Sequence, residues 1–167
     1  MENPWDDIAD LQPEVENPIN IVKTLFSPLY EKTQEKVIYK LEQVYFFPEE
    51  VKRSLPILLA FEMPEPSPDF GYDPEEAKKR QYFRYRLLLS PTANGTVEYE
   101  LFKFKFPLFF YPVQFFIDHI IFKGLSGFVD EKSEFVMANN EQELYTIIST
   151  IIRAESTIKL IKRLMAL

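Results

Sequence analysis

The chain contains no cysteine, which excludes disulfides, thiolate nucleophiles and Cys-ligated zinc. Its single histidine rules out a His-pair metal site, and four scattered glycines cannot build the glycine-rich cradle that holds a phosphate. No run of about 18 apolar residues is present to span a bilayer. The opening residues, MENPWDDIADLQ, lack the basic and apolar regions of a secretory signal, so a cytoplasmic protein is expected. Basic residues are missing from the first 16 positions, where Glu2, Asp6, Asp7, Asp10, Glu14 and Glu16 stand without Lys or Arg. Those acids carry most of the net charge of −7 and leave 20 acids against 19 bases in residues 17–167. An acidic N-terminal arm, residues 1–16, therefore precedes a nearly neutral body, residues 17–167, of a length suited to one core.

What the chain has in excess is rings: 16 Phe, 9 Tyr and 1 Trp. Each brings a large area that must be buried or given a partner. Asn17 with Pro18, and Ser27 with Pro28, combine a capping side chain with a first-turn proline and predict two helix starts. The second opens a long helix over residues 28–46, with Tyr30, Val37, Ile38, Leu41, Val44 and Tyr45 on one face. Residues 47–50 read as a helical turn, 57–61 as a buried strand and the proline-rich 64–74 as a loop. A very apolar helix over 113–123 ends at Gly124, and short strands are expected at 128–129 and 135–138. Asn139 or Asn140 caps a final helix striped by Leu144, Ile147, Ile148, Ile151, Ile152, Ile158, Ile161 and Met165.

The sharpest local signal is a β-hairpin. Strands at 81–89 and 97–106 flank Asn94 and Gly95, a strong turn pair. With those two residues at the turn centre, Leu87 faces Phe102, Tyr85 faces Phe104 and Phe83 faces Phe106, and all six are expected to be buried. The apolar phase of the second strand changes between Leu101 and Phe102, which a bulge there, or packing on both faces at the turn end, would account for. The predicted class is α+β: a small antiparallel sheet around a central hairpin, packed against long amphipathic helices in the order α-α-β-β-β-α-β-α.

The opposite face of that hairpin carries Tyr82, Arg84 and Arg86 against Lys103 and Lys105. Like charges facing each other across a ladder demand something negative over them, supplied by the same chain, an acidic partner or a phosphate backbone. The net-acidic chain and the lack of a basic helical stripe argue against nucleic acid. In the arm, Trp5, Ile8 and Leu11 recur every three residues among the acids, an apolar ridge of the kind that anchors in a groove.

Enzyme signatures are weak. Asp118, His119 and Ser126 have the residue types of a hydrolase triad, but adjacent helical positions diverge by about 100°. Asp69, Asp73, Glu75 and Glu76 miss the calcium-loop spacing. Glu98 and Glu100 beside Lys103 and Lys105 resemble a metal-dependent nuclease strand without its converging third acid. The expectation is a non-enzymatic protein-binding module of adaptor, inhibitor, immunity or chaperone type, with no cofactor or metal and with another protein as its partner. Its binding residues are expected to be Trp5, Ile8, Leu11, Tyr82, Arg84, Arg86, Lys103 and Lys105. The alternatives are a small metal-dependent hydrolase or nuclease and a structural subunit of a larger assembly.

Overall fold

A computed structural model describes residues 15–48, 50, 82–118, 121, 123–129 and 135–167. Helix α1 (Pro18–Phe26) begins as the sequence predicts: the Asn17 side chain accepts from the Ile19 N–H, and Pro18 occupies the first turn. Ser27 instead closes α1, and α2 (Leu29–Lys32) is a single turn without a side-chain cap. The predicted long helix over 28–46 does not form. Gln34 and Glu35 take left-handed backbone angles (φ 55° and 64°) and reverse the chain into strand β1 (Val37–Val44). The β-branched and aromatic residues of β1 fit a pleated surface better than a helix, and its core-facing side chains, Val37, Tyr39 and Leu41, recur with period two.

Strands β2 (Tyr82–Pro91) and β3 (Tyr99–Pro107) form the hairpin in the predicted register, with Phe83, Tyr85 and Leu87 opposite Phe106, Phe104 and Phe102. The phase change is a bulge: Leu87 pairs with Phe102 but Leu88 pairs with Glu100, leaving Leu101 as the extra residue. The turn is also displaced from the predicted pair. Val97 N–H donates to the Asn94 carbonyl at 3.2 Å, so Gly95 and Thr96 are its central residues rather than Asn94 and Gly95.

Val113–Ile117, the first part of the predicted helix, instead forms strand β4, with Val113 and Phe115 turned into the core; a short 3-10 segment lies at Lys123–Phe128. β5 (Val136–Ala138) completes a five-stranded antiparallel sheet in the order β1-β2-β3-β4-β5. Asn140 caps α3 (Glu141–Arg153), its side chain accepting from Glu143 N–H at 2.9 Å. The predicted single final helix is broken at Ala154 (ψ 138°), after which α4 (Glu155–Leu164) begins. The fold is thus α+β around a central hairpin as expected. Two elements read as helix in the sequence, 28–46 and 113–123, contribute strands, and among the described residues only α1, α3 and α4 are helices longer than one turn.

Helices α1, α3 and α4 pack on one sheet face. Ile21, Val22 and Phe26 of α1, Leu144, Ile147, Ile148 and Ile151 of α3, and Leu164 of α4 close over Val37, Leu87, Leu89, Phe102, Phe104, Phe106, Val113 and Phe115. Burying each such side chain stabilises the fold by roughly 1.5–3 kcal/mol. The hairpin rings do not all go inside: Tyr85 is only partly covered, and Phe83, expected in the core, is 36% exposed. Phe83 lies near the sheet end, where its ring meets Phe106 at 5.5 Å. Predicted elements at 57–61 and 64–74 lie outside the described residues.

Candidate functional site

On the face away from α1, α3 and α4, Arg86 stands opposite Lys103 and Arg84 opposite Lys105, as the hairpin register requires. The negative charge over them comes from this chain. Residues 47–50 form a turn in which Glu50 N–H donates to the Phe47 carbonyl at 3.0 Å while Phe47 N–H donates to Glu50 Oε2 at 3.3 Å. This reciprocal cap fixes the Glu50 carboxylate above the strands. Arg84 donates to it through Nε at 2.8 Å and Nη2 at 3.4 Å, and Lys105 Nζ bonds its second oxygen. Arg84 is 2% exposed and also donates to the Tyr82 carbonyl at 3.1 Å. Glu42, opposite Arg86 in β1, pairs with that guanidinium, and Glu100 pairs with Lys103 at 3.3 Å.

Burial pushes the Glu50 carboxyl up, but the hydrogen bonds and charges of Arg84 and Lys105 outweigh it and hold the group below its usual value. Glu42 is likewise held low, chiefly by its hydrogen bond from Arg86. Rings fill the gaps between the charges. Lys103 Nζ lies 5.6 Å from the centre of Phe47, and Lys105 Nζ lies 5.2 Å from Tyr82 and 5.7 Å from Phe116. Phe116 in turn packs edge-on to Phe47 at 4.9 Å and against Phe135 at 5.1 Å. The five candidate residues Tyr82, Arg84, Arg86, Lys103 and Lys105 therefore share one face, with the four cations held by internal carboxylates.

A second surface is not foreseen in the sequence. The antiparallel order brings the end of β1, the start of β2 and the β3–β4 turn to the same end of the sheet: Val44 pairs with Arg84, and Tyr82 pairs with Pro107. Large apolar side chains are exposed there. Tyr45 is 89% exposed, Phe109 86% and Leu108 66%, and Tyr82 and Phe83 lie beside them. Phe110, with left-handed φ 70°, turns its ring back to meet Phe106 at 6.1 Å, which leaves Leu108 and Phe109 at the tip. The sequence signal is the apolar stretch 108–111 between Pro107 and Pro112. As the lead into a helix that stretch would carry no message; at the tip of a turn between strands it presents two apolar side chains to water.

Glu16, the last residue of the arm, lies at this same end. Glu16 N–H donates to Glu141 Oε1 at 2.5 Å, beside the first turn of α3. Burial, with Glu141 and Glu16 nearby, pushes the Tyr111 phenol up to about 12. The arm residues Trp5, Ile8 and Leu11 lie outside the described residues.

The carboxylates of the alternative enzyme reading point to lysines: Glu98 lies 3.8 Å from Lys40, and Glu100 pairs with Lys103. Among the described residues no group of three or more His, Asp or Glu is placed to hold a metal ion, and no helix is long and apolar enough to cross a membrane. His119 and the acids Asp69, Asp73, Glu75 and Glu76 lie outside the described residues. Comparison with protein-family models, curated proteins and solved structures yields no match, so the functional reading rests on this chain's own residues.

Proposed function

We propose that this protein is a non-enzymatic protein-binding module of adaptor, inhibitor, immunity or chaperone type, and that it acts through the exposed aromatic end of its sheet together with the acidic arm, whose last residue, Glu16, lies beside it. The observation that carries this reading is the exposure of Leu108 and Phe109 at the tip of the β3–β4 turn, next to Tyr45, Tyr82 and Phe83. Exposed rings grouped at one site supply the anchor residues on which protein interfaces depend. The acids of the arm then add attraction toward a partner with a basic rim.

The centre of binding thereby lies at the sheet end rather than on the cationic face. Arg84 and Lys105 are held by Glu50, and pulling either away would break a bond already made. Tyr82 belongs to both surfaces. The test is comparative capture from native lysate with wild type and with a Leu108→Ser/Phe109→Ser double variant. A specific partner retained by wild type and lost by the double variant, at equal thermal stability, supports the reading. Equal recovery of every retained protein by both forms refutes it.

A further inference from the structure

The sheet is open, and its first edge is long. β1 is eight residues with no proline and no bulge, whereas the opposite edge, β5, has three residues. Long unprotected edges present unpaired backbone groups to other chains. Thr92 N–H donates to the Lys36 carbonyl at 2.9 Å, in register with the Val37 to Pro91 pairing, so the even-numbered residues of β1 bond to β2. The N–H and C=O groups of Tyr39, Leu41 and Gln43 then point away from the sheet, because bonding alternates along an antiparallel ladder. At Val37 the outward N–H is taken by Thr33 Oγ1 at 3.1 Å. Tyr39, Leu41 and Gln43 have no such cap among the described residues.

We propose that this edge pairs with the same edge of a second copy, antiparallel and centred on Leu41, to join two sheets into one. In that register Leu41 faces the second copy's Leu41, and Tyr39 faces its Gln43. The solvent face matches as well: Lys40 falls opposite Glu42, Glu42 opposite Lys40, and Ile38 opposite Val44. Sliding by two residues one way sets Lys40 against Lys40, and sliding the other way sets Glu42 against Glu42, each repulsive across a ladder. The centred register therefore gives opposite charges, pairs the outward groups of Tyr39, Leu41 and Gln43, and leaves the Thr33 cap undisturbed. Such a contact is isologous and closes at a dimer.

The charge pattern supplies its own test. Light scattering on the full chain should give about twice the monomer mass of 19.8 kDa, falling toward the monomer on dilution. Lys40→Glu places acids opposite each other, and Glu42→Lys places bases opposite each other, so each variant alone should be monomeric. Mixed one to one, the two variants face each other with opposite charges at both positions and should form a heterodimer. Lys40 is exposed, so its variant should keep the wild-type circular dichroism spectrum while its melting temperature no longer depends on protein concentration; Glu42→Lys also loses Arg86, and its fold is checked in the same way. A further variant, Gln43→Pro, removes an outward donor from an exposed position and should also be monomeric. A monomeric wild type, or dimers that survive in Lys40→Glu and Gln43→Pro, would overturn the proposal.

Discussion

Replacing Phe104 with alanine tests the register of the central hairpin and, through it, the placement of every side chain on both sheet faces. Phe104 is fully buried. Its ring stacks on Tyr85 at 5.7 Å and lies 5.9 Å from Phe102, 6.0 Å from Phe115 and 6.1 Å from Phe106. Truncating a core phenylalanine costs about 3–5 kcal/mol through lost transfer energy and the cavity left behind. Ring pairs add about 0.5–1.5 kcal/mol each beyond area, which places Phe104 in the upper part of that range. For a chain of this size each kcal/mol lowers the melting temperature by roughly 2–4 °C. Phe83→Ala is the matched control, on the same face of the same hairpin but more than a third exposed, and should cost about 1 kcal/mol or less. Urea unfolding monitored by fluorescence measures both. A Phe104→Ala cost below about 1 kcal/mol, or equal costs for the two variants, would mean that the even-numbered rings of β3 do not face the core and that the register is wrong.

Glu50→Gln should destabilise the fold by about 3 kcal/mol, because it removes the carboxylate that bridges two largely buried cations. Since the native Glu50 carboxyl is held below 4.5, its contribution is fully present above that pH and is lost as pH falls through the lowered native value. The Glu50→Gln variant should accordingly lose less stability than wild type on acidification, as thermal melts from acid to neutral pH will show. Tyr111 titrates in the opposite sense: with its native value pushed up to about 12, stability falls as pH rises from about 10 toward 12. Tyr111→Phe should flatten that alkaline limb, and ultraviolet titration of the phenols should lose a late-ionising component. Deleting residues 1–14 should leave the melting temperature unchanged while weakening partner capture. A loss of several degrees with capture intact would make the arm a latch on its own domain.

The hairpin is legible because two independent patterns agree: period-two alternation over Phe83, Tyr85 and Leu87, and its mirror over Phe102, Phe104 and Phe106. The bulge can be read for the same reason, as the point where the phase of β3 changes. β1 is ambiguous because Val37, Ile38, Leu41 and Val44 satisfy a helical period while Val37, Tyr39 and Leu41 satisfy a strand period. Eight residues are too few to separate the two. What decides is the reversal at Gln34 and Glu35, residues with no intrinsic preference for left-handed angles as strong as glycine's. The break at Ala154 is equally silent, with neither glycine nor proline to mark it. The need for negative charge over Arg84, Arg86, Lys103 and Lys105 follows from the hairpin alone. That Glu50 answers it does not, because Glu50 is 34 residues from Arg84 and 55 from Lys105 in the chain. The exposed end is hidden once 113–123 is read as helix, since 108–111 is then only a link into that helix and not the tip of a turn between two strands.

The docking role of the sheet end turns most directly on whether Phe109 touches a partner. A photoreactive benzoylphenylalanine placed at position 109, and for comparison at Tyr145 on the exposed face of α3, reads this in the intact cell. Position 109 should yield a discrete crosslinked species containing a different protein, and position 145 should not. No adduct at 109, or the same adducts from both positions, would contradict the claim that the aromatic end of the sheet is a docking surface.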